Sequence, residues 1–333
     1  MRWLWLDDDE NENGCCAEVF GDGDDAQRDA QRDEPPMTLF SSPREIQLAL
    51  RGVDYLVDEA LATVVFLALV MARPLFLEGE PGSGKTELAK AIALITGGEL
   101  LRLQCYEGID SSQALYEWDY SRQLVHLRLL EARAELGDLD EEELFSERFL
   151  LRRPLLRALG TKQDGARPVL LIDEVDRADD EFEAFLLEAL SDYAVTIPEI
   201  GTIIAEQPPI VVLTSNRTRD VHDALKRRSL YHWLDQPSFE TEVAIVRARV
   251  PLVSEEFARE VTGAVRLLRG VGLYKPPGIA ETIDWTVALQ HLGAIHLEAP
   301  SVEATLGLVV KYREDVDRVR EIGIGDIVAR AIS

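Results

Sequence analysis

One octapeptide, Gly79-Glu80-Pro81-Gly82-Ser83-Gly84-Lys85-Thr86, constrains the fold more than any other part of the chain. It has GxxxxGK(S/T) spacing, an apolar run Pro74–Glu78 before it, and apolar residues at helical spacing over Lys85–Ile95 after it. The context predicts a buried strand, a tight loop and a helix. In that context the glycines let backbone N–H groups curl around a phosphate, Lys85 reaches the outer phosphates, and the Thr86 hydroxyl can ligate Mg²⁺. Gly79, Glu80, Pro81, Gly82, Ser83, Gly84, Lys85, Thr86 and Glu87 form the predicted nucleotide-binding set. The bland alternative, a glycine turn that only caps a helix, does not account for a strand, a lysine and a hydroxyl in register.

A second segment points the same way. Val169-Leu170-Leu171-Ile172 runs into Asp173-Glu174, as a buried parallel strand would if it ended beside the phosphate loop at the carboxyl edge of a sheet. Asp173 is placed to share Mg²⁺ with Thr86, and Glu174 to polarise the water that attacks a terminal phosphate. Two carboxylates with two roles suggest hydrolysis. Asp176, Asp179 and Asp180 read as solvated or as caps of the next helix. The next strand, Ile210-Val211-Val212-Leu213, ends in Thr214-Ser215-Asn216; Asn216 is the candidate to orient the attacking water, although an Asn after a strand is often only a turn residue.

Around these motifs strands and helices alternate. Helices are expected over Arg44–Arg51, Leu56–Ala72, Ser121–Leu136, Glu141–Leu159 and Asp180–Asp192, and strands at Leu100–Leu103, Val169–Ile172 and Ile210–Leu213. This pattern predicts an α/β fold with a parallel sheet covered by helices on both faces. Val195–Gly201 reads as a hairpin. So does the stretch carrying Tyr116, Trp118 and Tyr120, with one aromatic face that either packs against the domain, the simpler reading, or grips a client. Beyond Pro237 only helices are expected: Phe239–Val250, Glu255–Leu268, Gly278–His291 and Val302–Arg320.

Composition limits the remaining classes. The net charge is −26, and residues 1–36 hold 12 acidic residues against 3 arginines. That balance opposes sequence-independent nucleic-acid binding, which needs clustered cations. Residues 1–36 lack periodicity and are expected to be disordered, either a solvated tail or a start-site artefact. Residues 37–236 are expected to form the nucleotide-binding domain and 237–333 a helical one. The longest apolar run, Ala60–Ala72, is too short to cross a bilayer, no signal peptide is evident, and a cytoplasmic location is expected. Three cysteines and five histidines show no metal-ligand spacing, so a bound transition metal is not expected.

The order of phosphate loop, Asp173-Glu174, Asn216 and the basic cluster Lys226-Arg227-Arg228 resembles the AAA+ ATPases. The stretches Leu103–Asp110, Leu115–Tyr120 and Asp220–Trp233 are similar to the MoxR branch, and within it to the CoxD-type ATPases that help mature carbon monoxide dehydrogenase. The resemblance spans about residues 38 to 325. It implies a P-loop NTPase of AAA+ type with a small all-α lid, ATP and Mg²⁺ as cofactors, and a ring-shaped homo-oligomer, commonly a hexamer. An arginine finger then comes from the neighbouring subunit; Arg228 matches it best, with Arg227 as the alternative. Many relatives place an arginine at the start of a lid helix, but here the stretch reads Lys275-Pro276-Pro277-Gly278-Ile279-Ala280-Glu281, with Lys275 as a point charge or Pro-Pro-Gly as a plain cap.

The resulting expectation is Mg²⁺-dependent ATP hydrolysis by Lys85, Glu174, Asn216 and Arg228. Turnover would drive chaperone-like remodelling or metallocentre maturation of a client enzyme, such as a molybdenum-containing carbon monoxide dehydrogenase. The alternative is a nucleotide-gated module with little turnover that recruits a von Willebrand A domain partner. A nucleic-acid motor or a GTP-dependent restriction subunit fits less well, given the acidity and the lack of an NKxD guanine motif.

Overall fold

The structure is a computed structural model that describes residues 39–133, 141–160 and 165–332. Expectations for residues 1–36, and for 138–140 of the acidic run Asp138–Glu143, lie outside the described residues.

The main sheet has five strands: β1 (Leu75–Gly79), β2 (Leu100–Gln104), β5 (Val169–Asp173), β8 (Ile210–Ser215) and β9 (Leu230–Leu234), all parallel and ordered β2-β5-β8-β1-β9. Every residue of β1, β5 and β8 is buried, and Leu75–Leu77, Val169–Ile172 and Ile210–Leu213 read as unbroken apolar runs that end in polar residues. Side chains alternate between two apolar layers. Leu75, Leu77, Val169, Leu171 and Val212 face helices Pro43–Gly52, Glu59–Met71 and Lys85–Thr96, whereas Phe76, Leu170, Ile172, Val211 and Leu213 face Pro154–Leu159 and Asp180–Asp192.

Helix starts follow their caps. Ser42 and Asp58 accept from the N–H groups of Glu45 and Leu61, and Asp179 accepts from Phe182 at 2.9 Å, as expected of a capping acid before Asp180–Asp192.

Register carries the ends of the central strands to one edge. Gln104 lies opposite Asp173, Ile172 opposite Leu213 and Glu78 opposite Ser215. The residues that follow β1, β5 and β8 therefore emerge side by side, which is where a doubly wound sheet offers a crevice.

Three expectations are corrected. The span Glu141–Leu159 is not one helix but a turn of helix (Glu141–Leu144), a 3₁₀ turn (Glu147–Phe149), strand β4 (Leu150–Arg152) and the helix Pro154–Leu159. Pro154 disfavours helical backbone at Arg153, which is extended at φ −83°, ψ 171°, and β4 pairs instead with β3 (Tyr116–Trp118). The aromatic stretch is thus half of a two-stranded ribbon split by helix Tyr120–Arg133: Trp118 is buried, while Tyr120 has left the strand and is exposed. The span Val302–Arg320 divides into Ala299–Val309 and Arg313–Ile322, because Val310 is extended and joins Val309 in the core. The hairpin β6 (Ala194–Ile197) and β7 (Gly201–Ile204) forms where it was expected.

After Leu234 the described chain is helical. Its core is centred on Trp285, whose indole N–H donates to Thr305 at 2.7 Å inside an apolar shell that includes Val261, Leu306 and Val319.

Candidate functional site: a phosphate loop facing two strand-end carboxylates

The loop after β1 turns with Gly82 and Gly84 at φ +78° and +96°, and Lys85 opens the helix behind it. Residues with a Cβ adopt that backbone reluctantly. The Lys85 ammonium donates to the carbonyls of Gly79 and Glu80, each at 2.8 Å, so it lies folded along the loop. Burial lowers the Lys85 pKa, opposed by Asp176, Asp173, Glu174 and Glu78, which favour its charged form. A cationic donor thus lies ready under the loop.

Across the crevice Asp173 is 3% exposed. Its Oδ1 accepts from Thr214 Oγ1 at 2.5 Å and from Thr86 Oγ1 at 3.1 Å. Its Oδ2 accepts from Arg102 Nη2 at 2.6 Å and Nε at 3.0 Å. Thr214 in turn accepts from the Glu174 N–H at 2.9 Å, which pins the turn where Glu174 sits in the left-handed region at φ 56°. Non-glycine residues at positive φ concentrate at functional sites. The Glu174 carboxylate accepts from Gln104 Nε2 and Arg177 Nη1, both at 3.1 Å, and from Asn216 Nδ2 at 3.4 Å.

A cleft of about 1510 Å³ joins these groups. Its walls include Tyr55, Pro81–Glu87, Asp173, Glu174 and Asn216, and the helical region adds Ile279, Ile283 and Asp284. Tyr55 donates to Gly84 O at 3.1 Å, and burial raises its pKa well above the ordinary phenol value. Arg249, from helix Phe239–Arg249, also lines the cleft and pairs with Glu87 at 3.3 Å.

The structure therefore brings Gly79–Glu87, Asp173, Glu174 and Asn216 to one place, and sets three candidates elsewhere. Arg227 and Arg228 are exposed and do not line the cleft; their carbonyls accept from Arg73, and Arg228 Nη1 lies 3.5 Å from Leu187 O. Lys275 is exposed, outside the cleft, with its N–H donating to Asp315. Asp176, expected to be solvated or capping, is 2% exposed and accepts from Asn216 N, Thr218 N and Thr218 Oγ1, so it shapes the loop that carries Asn216.

Three site groups have no motif in the sequence. Arg102, Gln104 and Thr214 converge only through sheet register. Tyr231 donates to the buried Glu78 at 2.9 Å; burial and that bond push its phenol up to about 12. The alternation Leu101, Leu103 against Arg102, Gln104 in a strand beside Val169–Asp173 was the available signal: it puts two polar side chains on one face, level with the acids.

The donor set suits Mg²⁺, because a hydroxyl and a carboxylate oxygen 3.1 Å apart are hard oxygen ligands that leave room for waters and phosphate. The loop with Lys85 beneath it suits a nucleotide polyphosphate.

No curated protein matches the chain. Among solved structures, the Holliday junction branch migration motor RuvB of Thermotoga maritima is 16% identical with a TM-score of 0.39, covering 84% of this chain and 67% of its own. A protein of Cytophaga hutchinsonii assigned as an ATPase is 13% identical with a TM-score of 0.42, covering 92% and 98%. Among the described residues no helix is long and apolar enough to cross a membrane. Residues 74–229 match the AAA domain of the dynein-related subfamily, and the chain has the AAA+ P-loop NTPase fold.

Proposed function

We propose that the chain binds ATP with Mg²⁺ at Gly79–Glu87 and hydrolyses it to ADP and phosphate. The observation that supports this best is the contact of Thr86 with Asp173 across the cleft, with Glu174 one residue further on. Thr86 and Asp173 would hold the metal, which when bound draws charge from the phosphate oxygens. Lys85 leaves the carbonyls of Gly79 and Glu80 for the outer phosphates. Glu174 accepts a proton from the attacking water, and Asn216, within hydrogen-bonding distance of that carboxylate, helps to orient it.

Arg228 is exposed and away from the chain's own cleft, which suits a group that works in a neighbour's. We assign it as the arginine finger of a homo-oligomeric ring, a hexamer by resemblance to the MoxR branch, acting in the cytoplasm without nucleic acid. Hydrolysis would then remodel a client or mature its metallocentre, with a CoxD-type role toward carbon monoxide dehydrogenase as the specific case.

A second reading, a nucleotide-gated module that recruits a von Willebrand A domain partner with little turnover, draws on the engagement of Glu174 by Gln104 and Arg177. A carboxylate already held by the side chains of Gln104 and Arg177 is less free to take hold of an attacking water. Measurement of phosphate release by the wild type, Arg228→Ala, Lys85→Ala and a mixture of the two variants separates these readings. Steady turnover that both variants abolish and the mixture partly restores supports hydrolysis in a ring. Tight ATP binding with near-zero release in the wild type supports the gated module, and full activity of Arg228→Ala alone removes the finger assignment.

A further inference from the structure

The guanidinium on Asp173 has no part in the roles assigned so far. Arg102 spends two donors, Nε at 3.0 Å and Nη2 at 2.6 Å, on Oδ2 of the carboxylate expected to serve Mg²⁺. Asp173 is buried, so its charge needs a counter-charge. Lys85 is occupied by loop carbonyls, and Arg102 supplies that counter-charge. A divalent ion at the same carboxylate would meet a like charge within a few ångströms, with one oxygen already taken. Mg²⁺ tolerates little departure from octahedral geometry, so the two cations do not share Asp173 easily.

Arg102 can leave. It stands on β2, the edge strand of the sheet, and its side chain is 53% exposed, so water can take up the guanidinium. Its Nη2 also donates to Gln104 Oε1 at 2.5 Å, while Gln104 Nε2 donates to Glu174. The metal ligand and the candidate base are thus linked through one arginine and one amide.

We propose that Arg102 and Mg²⁺ compete for Asp173, so that metal loading expels the guanidinium and slackens the Gln104 hold on Glu174. The site then demands more Mg²⁺ than its oxygen donors alone would need. This rests on the reading that Gly79–Glu87 holds a magnesium nucleotide.

The test titrates Mg²⁺ into the full chain with a fluorescent N-methylanthraniloyl ADP, for the wild type, Arg102→Gln and Arg102→Lys. Arg102→Gln is expected to lower the Mg²⁺ concentration at half-maximal response by roughly two- to fivefold, the scale of one partly exposed ion pair. Arg102→Lys, which keeps the charge but loses the forked contact, should fall between. Nucleotide affinity in EDTA should change less than about twofold, since the competition concerns the metal alone. A half-point that is unchanged or raised in the variants overturns the competition while leaving the nucleotide site intact. Failure of the wild type to bind the probe with or without Mg²⁺ overturns both the site and the competition. Melting curves show whether Arg102→Gln is folded; if it is not, Arg102→Lys decides alone.

Discussion

Gly82 of the phosphate loop and Gly278 of the helical region touch backbone to backbone: a Cβ built on either would lie 2.9 Å from the Cα of the other. The Ile279 N–H also donates to Gly82 O at 3.3 Å, so helix Ile279–His291 starts on the loop itself. Any shift of the loop would therefore be felt by the helices through contact of backbone atoms.

Gly278→Ala tests that seam. The Gly278 backbone, at φ −88° and ψ −171°, admits any residue, so the effect of the methyl group is steric. It is expected to cost about 1–3 kcal/mol in urea unfolding, the range for overpacking, and to weaken nucleotide binding. Gly307, in helix Ala299–Val309 with open space around its Cβ position, is the control: Gly307→Ala should be neutral or stabilise by up to about 1 kcal/mol.

Binding and turnover should separate between Lys85 and Glu174. Lys85→Ala removes a cationic donor to phosphate, and charge-assisted hydrogen bonds are worth about 1.5–3 kcal/mol, so affinity for the fluorescent ADP should fall about 10- to 100-fold. Glu174→Gln keeps the volume and loses the base; phosphate release should fall by about 10²–10⁴-fold with affinity nearly unchanged. Equal loss of affinity in both variants would remove the division of roles.

What the sequence made legible follows from what is local. Val169–Ile172 and Ile210–Leu213 are buried on both faces and show as continuous apolar runs, and Gly82, Lys85 and Thr86 act through spacing along one loop. Arg102, Gln104 and Thr214 act through strand neighbours up to 71 residues away in sequence; the alternation over Leu101–Gln104 marks two polar side chains on one face but not which residues they meet. The same holds for Asp176: its neighbours in sequence suggest a solvated turn, but Thr218 and the Asn216 N–H enclose it. Arg153-Pro154 did carry a local signal against a long helix; the apolar periodicity around it masked that signal.

The helical region hides an ion pair whose loss should be costly. Glu242 is fully buried and takes both Nη atoms of Arg269 at 2.7 Å, with Thr282 Oγ1 donating to it at 2.8 Å. Arg269→Met leaves this carboxylate in the core without a counter-charge, and thermal or urea unfolding should show a loss of about 3–5 kcal/mol. The double variant Arg269→Met, Glu242→Leu should recover much of it. A loss below about 1 kcal/mol in the single variant would mean that water reaches Glu242.

His296 should make stability depend on pH. Its Nδ1 lies 2.9 Å from Oε1 of the buried Glu260, whose Oε2 accepts from Leu297 N at 2.6 Å, and the hydrogen bond to Glu260 raises the imidazole above its usual 6.5, with its charge and those of Glu256 and Glu298 adding to the effect. A pKa raised by folding means that the folded chain binds the proton more tightly. The contribution is thus complete below pH 6.5 and fades as pH rises through the folded-state value. Melting temperatures of the wild type and His296→Gln, compared at about pH 5.5 and about pH 8.5 on either side of the ordinary histidine range, should differ more at the lower pH. A gap of equal size at both would show that His296 acts by packing rather than by charge.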